Sequence, residues 1–184
     1  MKQKYISVLI LTSAMLLGCS NDDSGEKSSE NNKKADDRVI TLNQISTSPE
    51  DAIKKSRKVY TDQDLKGLAY ERENGKWCYK VEQQKNGEES EVIIADKQGK
   101  VIHRESEKEN DIHKNELFNY GDAIDYKKAI KKSQKEFNGK IKEWSLSKDE
   151  GKLIYDINLE KGKKAHEITV DAKSGKILQN EKDD

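Results

Sequence analysis

At 184 residues, with 35 Lys and Arg against 35 Asp and Glu and apolar side chains making up only 32%, the chain has room for one or two small domains with thin cores and very polar surfaces. The charges alternate in sign along the sequence, with no basic excess over a face, which argues against a nucleic-acid partner. Of the two cysteines, Cys19 ends the N-terminal apolar stretch and reads as modified, which leaves Cys78 alone and no pair for an internal disulfide.

The first 19 residues place two lysines, Lys2 and Lys4, before an apolar run from Tyr5 to Leu17, and end Leu16-Leu17-Gly18-Cys19. A basic flank, a short apolar stretch and small residues describe a secretory signal over residues 1–18. An apolar run of about 13 residues is too short to span a bilayer. The last four residues resemble the lipobox of bacterial lipoproteins, with Leu16 at −3, Gly18 at −1 and Cys19 at +1. That resemblance implies that the Cys19 thiol takes a diacylglyceryl group and becomes the mature N-terminus. The lipid would then hold the protein on the extracellular face of the cell membrane, two acyl chains being enough for stable anchoring.

From Ser20 to Arg38 the sequence has one apolar residue, Ala35, and no periodicity. Such a segment buries too little surface to offset its ordering entropy, so residues 19–44 are expected to be a disordered spacer. Val39, Ile40, Leu42 and Ile45 near its end suit a short leading strand or packing on the first domain.

The remainder is written twice. Ala52-Ile53-Lys54-Lys55-Ser56 recurs as Ala129-Ile130-Lys131-Lys132-Ser133, and Gly75-Lys76-Trp77-Cys78-Tyr79 answers to Gly151-Lys152-Leu153-Ile154-Tyr155. Two copies mark a duplicated small domain rather than a solenoid. Ser48-Pro49-Glu50-Asp51 carries helix-start signals, and Ala52, Ile53, Ser56, Val59 and Tyr60 form one stripe, which predicts a helix over 49–60. Ala129, Ile130, Ser133 and Phe137 repeat the stripe over 126–137, with Asn138-Gly139 read as its C-cap and 120–124 as an added turn. The serines suit close packing and the lysines solvent. Strand-like runs follow each helix, among them Leu65–Glu71 and Ile141–Ser147, divided by tight turns at Asn74-Gly75 and Glu150-Gly151. Alternation sets Cys78 on the opposite face from Trp77 and Tyr79, as a small half-buried core residue. The expected fold class is α+β, two repeated units of one helix on a three- to four-stranded antiparallel sheet, spanning 45–106 and 120–182, with a polar, helix-compatible linker over 107–119.

This pattern resembles a tandem pair of PepSY domains. The resemblance rests on the opening helix, on a strand carrying Tyr79 or Tyr155, and on the terminal motif Ile168-Thr169-Val170-Asp171-Ala172-Lys173-Ser174-Gly175-Lys176-Ile177. In the first copy the acid is shifted one place, to Asp96 in Ala95-Asp96-Lys97-Gln98-Gly99. The resemblance implies a domain that inhibits or regulates peptidases and has no catalytic residues to carry over. Asp171 and Gly175 read as turn chemistry, a local backbone bond and a positive φ.

The residues themselves contain no phosphate loop, HExxH, paired CxxC or GxSxG. His103 with Glu105, and His166 with Glu167, are the nearest approach to a metal pair, and no metal or cofactor is expected. The expected protein is a monomeric, non-enzymatic binder of a secreted or membrane peptidase, anchored through Cys19. The alternative is an envelope sensor-accessory or ligand-binding lipoprotein.

Overall fold

The computed structural model describes residues 37–110 and 113–183; the signal peptide, Cys19 and most of the expected spacer lie outside them. Helix α1 spans Pro49–Val59 and is followed by β1 (Asp64–Glu73), β2 (Lys76–Lys85), β3 (Glu88–Ala95) and β4 (Lys100–Glu107). The order repeats with α2 (Tyr126–Glu136), β5 (Lys140–Asp149), β6 (Lys152–Lys161), β7 (Lys164–Asp171) and β8 (Ile177–Asp183).

Both helices start where side chains can satisfy free N–H groups. Ser48 accepts from the Asp51 N–H at 3.1 Å with Pro49 at the first helical position, and Asp125 accepts from the Lys127 N–H at 2.7 Å. Their buried stripes are Ala52, Ile53 and Ser56 in α1 and Tyr126, Ala129, Ile130 and Ser133 in α2. The hairpins β1–β2 and β5–β6 turn through Asn74 and Glu150, each at φ 48 and each followed by a glycine at φ 79, the two left-handed residues of a turn that matches strand twist.

The expectation of two separate sheets is corrected. All eight strands form one antiparallel sheet in the order β4-β3-β2-β1-β5-β6-β7-β8. The join is β1 against β5, with Leu68 opposite Leu146 and Tyr70 opposite Trp144. Leu68 corresponds to Trp144 and Tyr70 to Leu146, so each rung of the seam pairs a residue with the other repeat's neighbour, as an antiparallel pairing of two like strands requires. The physical reason is that the first strand of an isolated unit would be an apolar edge with unpaired backbone, and the two repeats supply each other's missing neighbour. The true edges are β4 and β8, whose side chains are nearly all exposed, seven of the fifteen charged, with Val101, Ile102 and Leu178 among the rest.

The segments leading into the repeats are exchanged across this seam. Ile40, ahead of the first repeat, bridges Ile141 of the second through two backbone hydrogen bonds of 2.8 and 2.9 Å. Phe118, ahead of the second repeat, donates its N–H to the carbonyl of Leu65 in the first at 2.9 Å. Ile40 and Phe118 are 6% and 7% exposed and belong to the core. Two further expectations change accordingly. The spacer to residue 44 ends earlier, because Ile40 is core and Leu42–Gln44 is a turn of 3-10 helix. The stretch 107–119 carries no helix among its described residues, and Tyr120–Asp122 is a separate 3-10 turn rather than a prolongation of α2. Nor is Gly139 a left-handed cap: a Cβ there would lie 3.0 Å from the Glu160 backbone, so close approach is what it provides.

Both helices pack on the same face of the sheet, α1 over β2 and β3 and α2 over β6, β7 and β8, above a single cluster that runs through the seam. Replacing Ile40 by Ala, a change outside both sequence repeats, is expected to lower the stability of the whole fold by about 2–4 kcal/mol, the range for emptying a core isoleucine site. Urea denaturation checks this, and a loss below about 0.5 kcal/mol contradicts a core role. Glu150→Gly is expected to raise stability by about 1 kcal/mol, because it relieves a side chain at left-handed φ.

Candidate functional site

Each repeat closes on a small module at the start of its helix. Tyr79 and Tyr155, at equivalent positions in β2 and β6, donate their hydroxyls to the carbonyls of Thr47 and Ile124 at 2.8 and 2.7 Å. These are the residues that lead into α1 and α2. Burial pushes both hydroxyls well above their ordinary pKa, so they stay protonated donors. In the second repeat Asp171 accepts from the Ser174 N–H at 2.7 Å, and Gly175, at φ 71, returns its N–H to the Asp171 carbonyl. The turn chemistry read from the sequence is therefore present.

The displaced acid of the first repeat does something different. Asp96 is 1% exposed, and its carboxylate accepts from the N–H groups of Ser46 and Thr47 at 3.0 and 2.8 Å. The Thr47 hydroxyl donates back to the Asp96 carbonyl. Ala172 occupies the matching place in the second repeat, where the Ile124 N–H donates to its carbonyl at 2.7 Å. Asp171 shapes its own turn, whereas Asp96 holds the lead-in. The second lysine of each Ala-Ile-Lys-Lys-Ser string also departs from expectation. Lys132 Nζ donates to the Gly175 carbonyl at 2.7 Å, and Lys55 Nζ lies against Gly99. The recurring motif residues thus tie helix, lead-in and terminal turn together, and none of them presents a reactive group.

The face of the sheet away from the helices carries no helix of the described residues; the connecting segment reaches onto it, where the His113 N–H donates to Gln84 at 3.1 Å and Glu116 lies 3.5 Å from Lys66. Its side chains are those that alternate with the core: Glu82 stands opposite Glu91 and Glu91 opposite Glu105, and on the other half Glu167 stands opposite Glu181. Like charges directly opposite one another cost stability in a sheet. Lys80 relieves part of this at 2.7 Å from Glu91, and Lys66 does so at 2.8 Å from Glu89. Burial alone would lower Lys80, but its bond to Glu91 and the charges around it leave its pKa raised. Burial raises the carboxyls of Glu71, Glu82, Asp156 and Glu167, and neighbouring acids such as Glu143 beside Glu71 and Glu91 beside Glu82 add to the effect. Gly67 leaves the space that the Glu82 carboxylate fills. An open depression of about 240 Å³ on this face is lined by Arg38, Glu71, Arg72, Lys142, Glu143 and Glu160. One of about 330 Å³ on the helix side lies between α1 and the Tyr120 turn, among Glu50, Ile53, Lys54, Arg57 and Tyr120.

Cys19 lies outside the described residues. Cys78 faces away from the helices as alternation requires, but is wholly rather than half buried, and burial pushes its thiol up to about 12. His103 Nε2 stands 3.5 Å from Glu105, while His166 stacks on Phe137 at 4.1 Å and meets Asn180 rather than a carboxylate. Among the described residues, no three His, Cys, Asp or Glu side chains are grouped to hold a metal ion.

The family model "Peptidase propeptide and YPEB domain", PepSY, matches the chain twice, over residues 47–105 and 123–181. The two matches fall on the two structural repeats, and together they take in more than half of the sequence. The chain belongs to the PepSY family and carries two copies of its domain. It is also similar to a crystal structure at 1.85 Å of a candidate lipoprotein from Clostridium difficile 630, at 29% identity and a TM-score of 0.73 over 79% of this chain and 99% of that one. No curated protein matches the chain in sequence.

Two outcomes follow from this geometry. Gly175→Ala sets a side chain at φ 71, 2.7 Å from Lys132 Nζ and 2.8 Å from Ile124, and is expected to lower stability by about 1–3 kcal/mol in urea denaturation. The raised carboxyls mean that the folded chain binds protons more tightly than the unfolded one, so stability grows as pH falls from neutral towards the ordinary carboxylate value of about 4. The urea midpoint is expected to be higher near pH 5 than near pH 7, and Glu82→Gln to shrink the difference; a midpoint that falls steadily over that interval contradicts it.

Proposed function

We propose that the protein is a lipid-anchored envelope protein whose tandem PepSY domains bind, without chemistry of their own, a secreted or membrane peptidase and restrain it. The observation that carries the reading is the pair of PepSY repeats fused into one sheet with one broad face free of helices. Such a face offers a rigid, preformed docking surface, and its closely spaced carboxylates suit a partner that brings positive charge. The similar candidate lipoprotein supports the anchored setting, as does the lipobox-like Leu16-Leu17-Gly18-Cys19. Cys19 is the lipidated residue in this reading, and the described fold starts 18 residues further on, at Asp37. Eighteen residues reach at most about 60 Å, which lets the folded part take any position from contact with the surface that holds the lipid to well clear of it. The protein then faces outward from the membrane and acts by occupancy rather than turnover.

Two measurements test this. Cys19→Ser is expected to release the protein from the membrane fraction into the medium, and unchanged retention contradicts anchoring through Cys19. The chain from Ser20 onward is expected to slow a secreted or membrane metallopeptidase of the same cell, or to co-purify with it, and Glu82→Lys with Glu91→Lys to abolish the effect while the fold is kept. The absence of any effect on every envelope peptidase tried contradicts the peptidase reading.

A further inference from the structure

The balanced totals conceal a separation of charge in space. α1 contributes four Lys and Arg and α2 five, against three carboxylates on the two helices together. The apolar stripe of each helix is turned to the sheet, so these cations stand on its outer side, apart from Lys55 and Lys132, whose ammonium groups reach back to the terminal turns at Gly99 and Gly175. Both stripes join one core, which sets the two helices on the same side of the molecule. Among the described residues, none of the nine is in an ion pair; the ion pairs belong to strands, hairpins and connecting segments. The glutamates that might have neutralised them stand across the sheet, on the helix-free face.

We propose that the two-helix layer is a docking surface for an anionic membrane, resting on phosphate headgroups with the acidic sheet face turned away. Three observations favour a membrane over a structured partner. The cations are spread over two helices lying on one sheet rather than gathered in a pocket. Eight of the nine are lysines, which act as mobile point charges, whereas a built carboxylate or phosphate site draws on the planar fork of arginine. The opposite face is repelled by the same surface, which fixes one orientation. Cations resting on a headgroup surface meet it within the screening length of about 8 Å at physiological salt, and the two helices, centred several strands apart on one sheet, contribute separately. The proposal does not rest on the peptidase reading: a protein that inhibits nothing can still dock in this way.

The test uses the chain from Ser20 onward, made without lipid; its whole buried core lies within residues 40–172. Sedimentation is measured with vesicles of phosphatidylcholine alone and with an equal share of phosphatidylglycerol. Binding is expected only to the anionic vesicles and to be lost in high salt. Replacing Lys54, Lys58, Lys128 and Lys131 by Gln, all exposed positions, is expected to weaken partition about a hundredfold or more. The Arg versions are expected to retain it. Gln at Lys152, Lys161, Lys163 and Lys182, an equal change of charge elsewhere, is expected to have a small effect. Circular dichroism and melting confirm that each variant is folded. The proposal is overturned by equal binding to both kinds of vesicle or by equal losses in the two Gln sets.

Discussion

Trp144 is the residue through which the two halves of this protein become one. It sits in β5, is 1% exposed, and has its ring within 6.2 Å of Tyr70, Tyr79, Tyr126 and Tyr155, two from each repeat. Aromatic contacts of this kind add to the large area each ring removes from water. In a chain with so few apolar residues, concentrating them at the seam lets two thin cores act as one thick one. Pairing β1 with β5 satisfies the backbone of both first strands, and the crossed lead-ins at Ile40 and Phe118 extend the pairing at either end.

The surfaces follow from that constraint. Because the strands at the seam are antiparallel neighbours in one sheet, both helices must fall on the same face, and with them their lysines. The other face carries the alternate residues without a helix over them, and carboxylates stand there around the buried Cys78, Ile93 and Ile154 despite the cost of placing like charges in register. An electrically balanced sequence thereby becomes a two-sided body, basic over the helices and acidic over the bare sheet. The two repeats have also diverged within the shared frame. Beneath the end of α1, Ser56 bonds Gln83 and Ser90 bonds Gln63, a polar inclusion, where the second repeat has Leu159 at the place of Gln83 and turns Ser133 back onto the Ala129 carbonyl.

Much of the fold was legible in the residues. The helical stripes, the capping of Ser48, the turns at Asn74-Gly75 and Glu150-Gly151 and the bonds of Asp171 are local patterns, and each appears where it was read. The union of the sheets was not legible, because alternation in Leu68, Tyr70, Trp144 and Leu146 looks the same whether a strand lies at an edge or at the centre. A hint was available in the contrast with β4 and β8, whose charge on both faces marks them as edges. Ile40 is legible with Val39, Leu42 and Ile45 as a leading strand or as packing on the first domain, but its partner in the second is not, being about 100 positions away with no local pattern to point to it. Of the candidate surfaces, the acidic and basic faces were invisible in a sequence where signs alternate, since only the sheet sorts them by side. Cys19 was read from its local motif alone.

The central claim is that the seam makes the repeats a single cooperative unit. Native-state amide exchange on Trp144→Leu tests it most directly, compared at Val81 and Val92 in the first repeat and at Ile157 and Ile168 in the second. Protection is expected to fall by the same free energy in both repeats, because both open through the same global unfolding. A loss confined to the second repeat, with Val81 and Val92 unchanged, would contradict the claim and restore two independent domains.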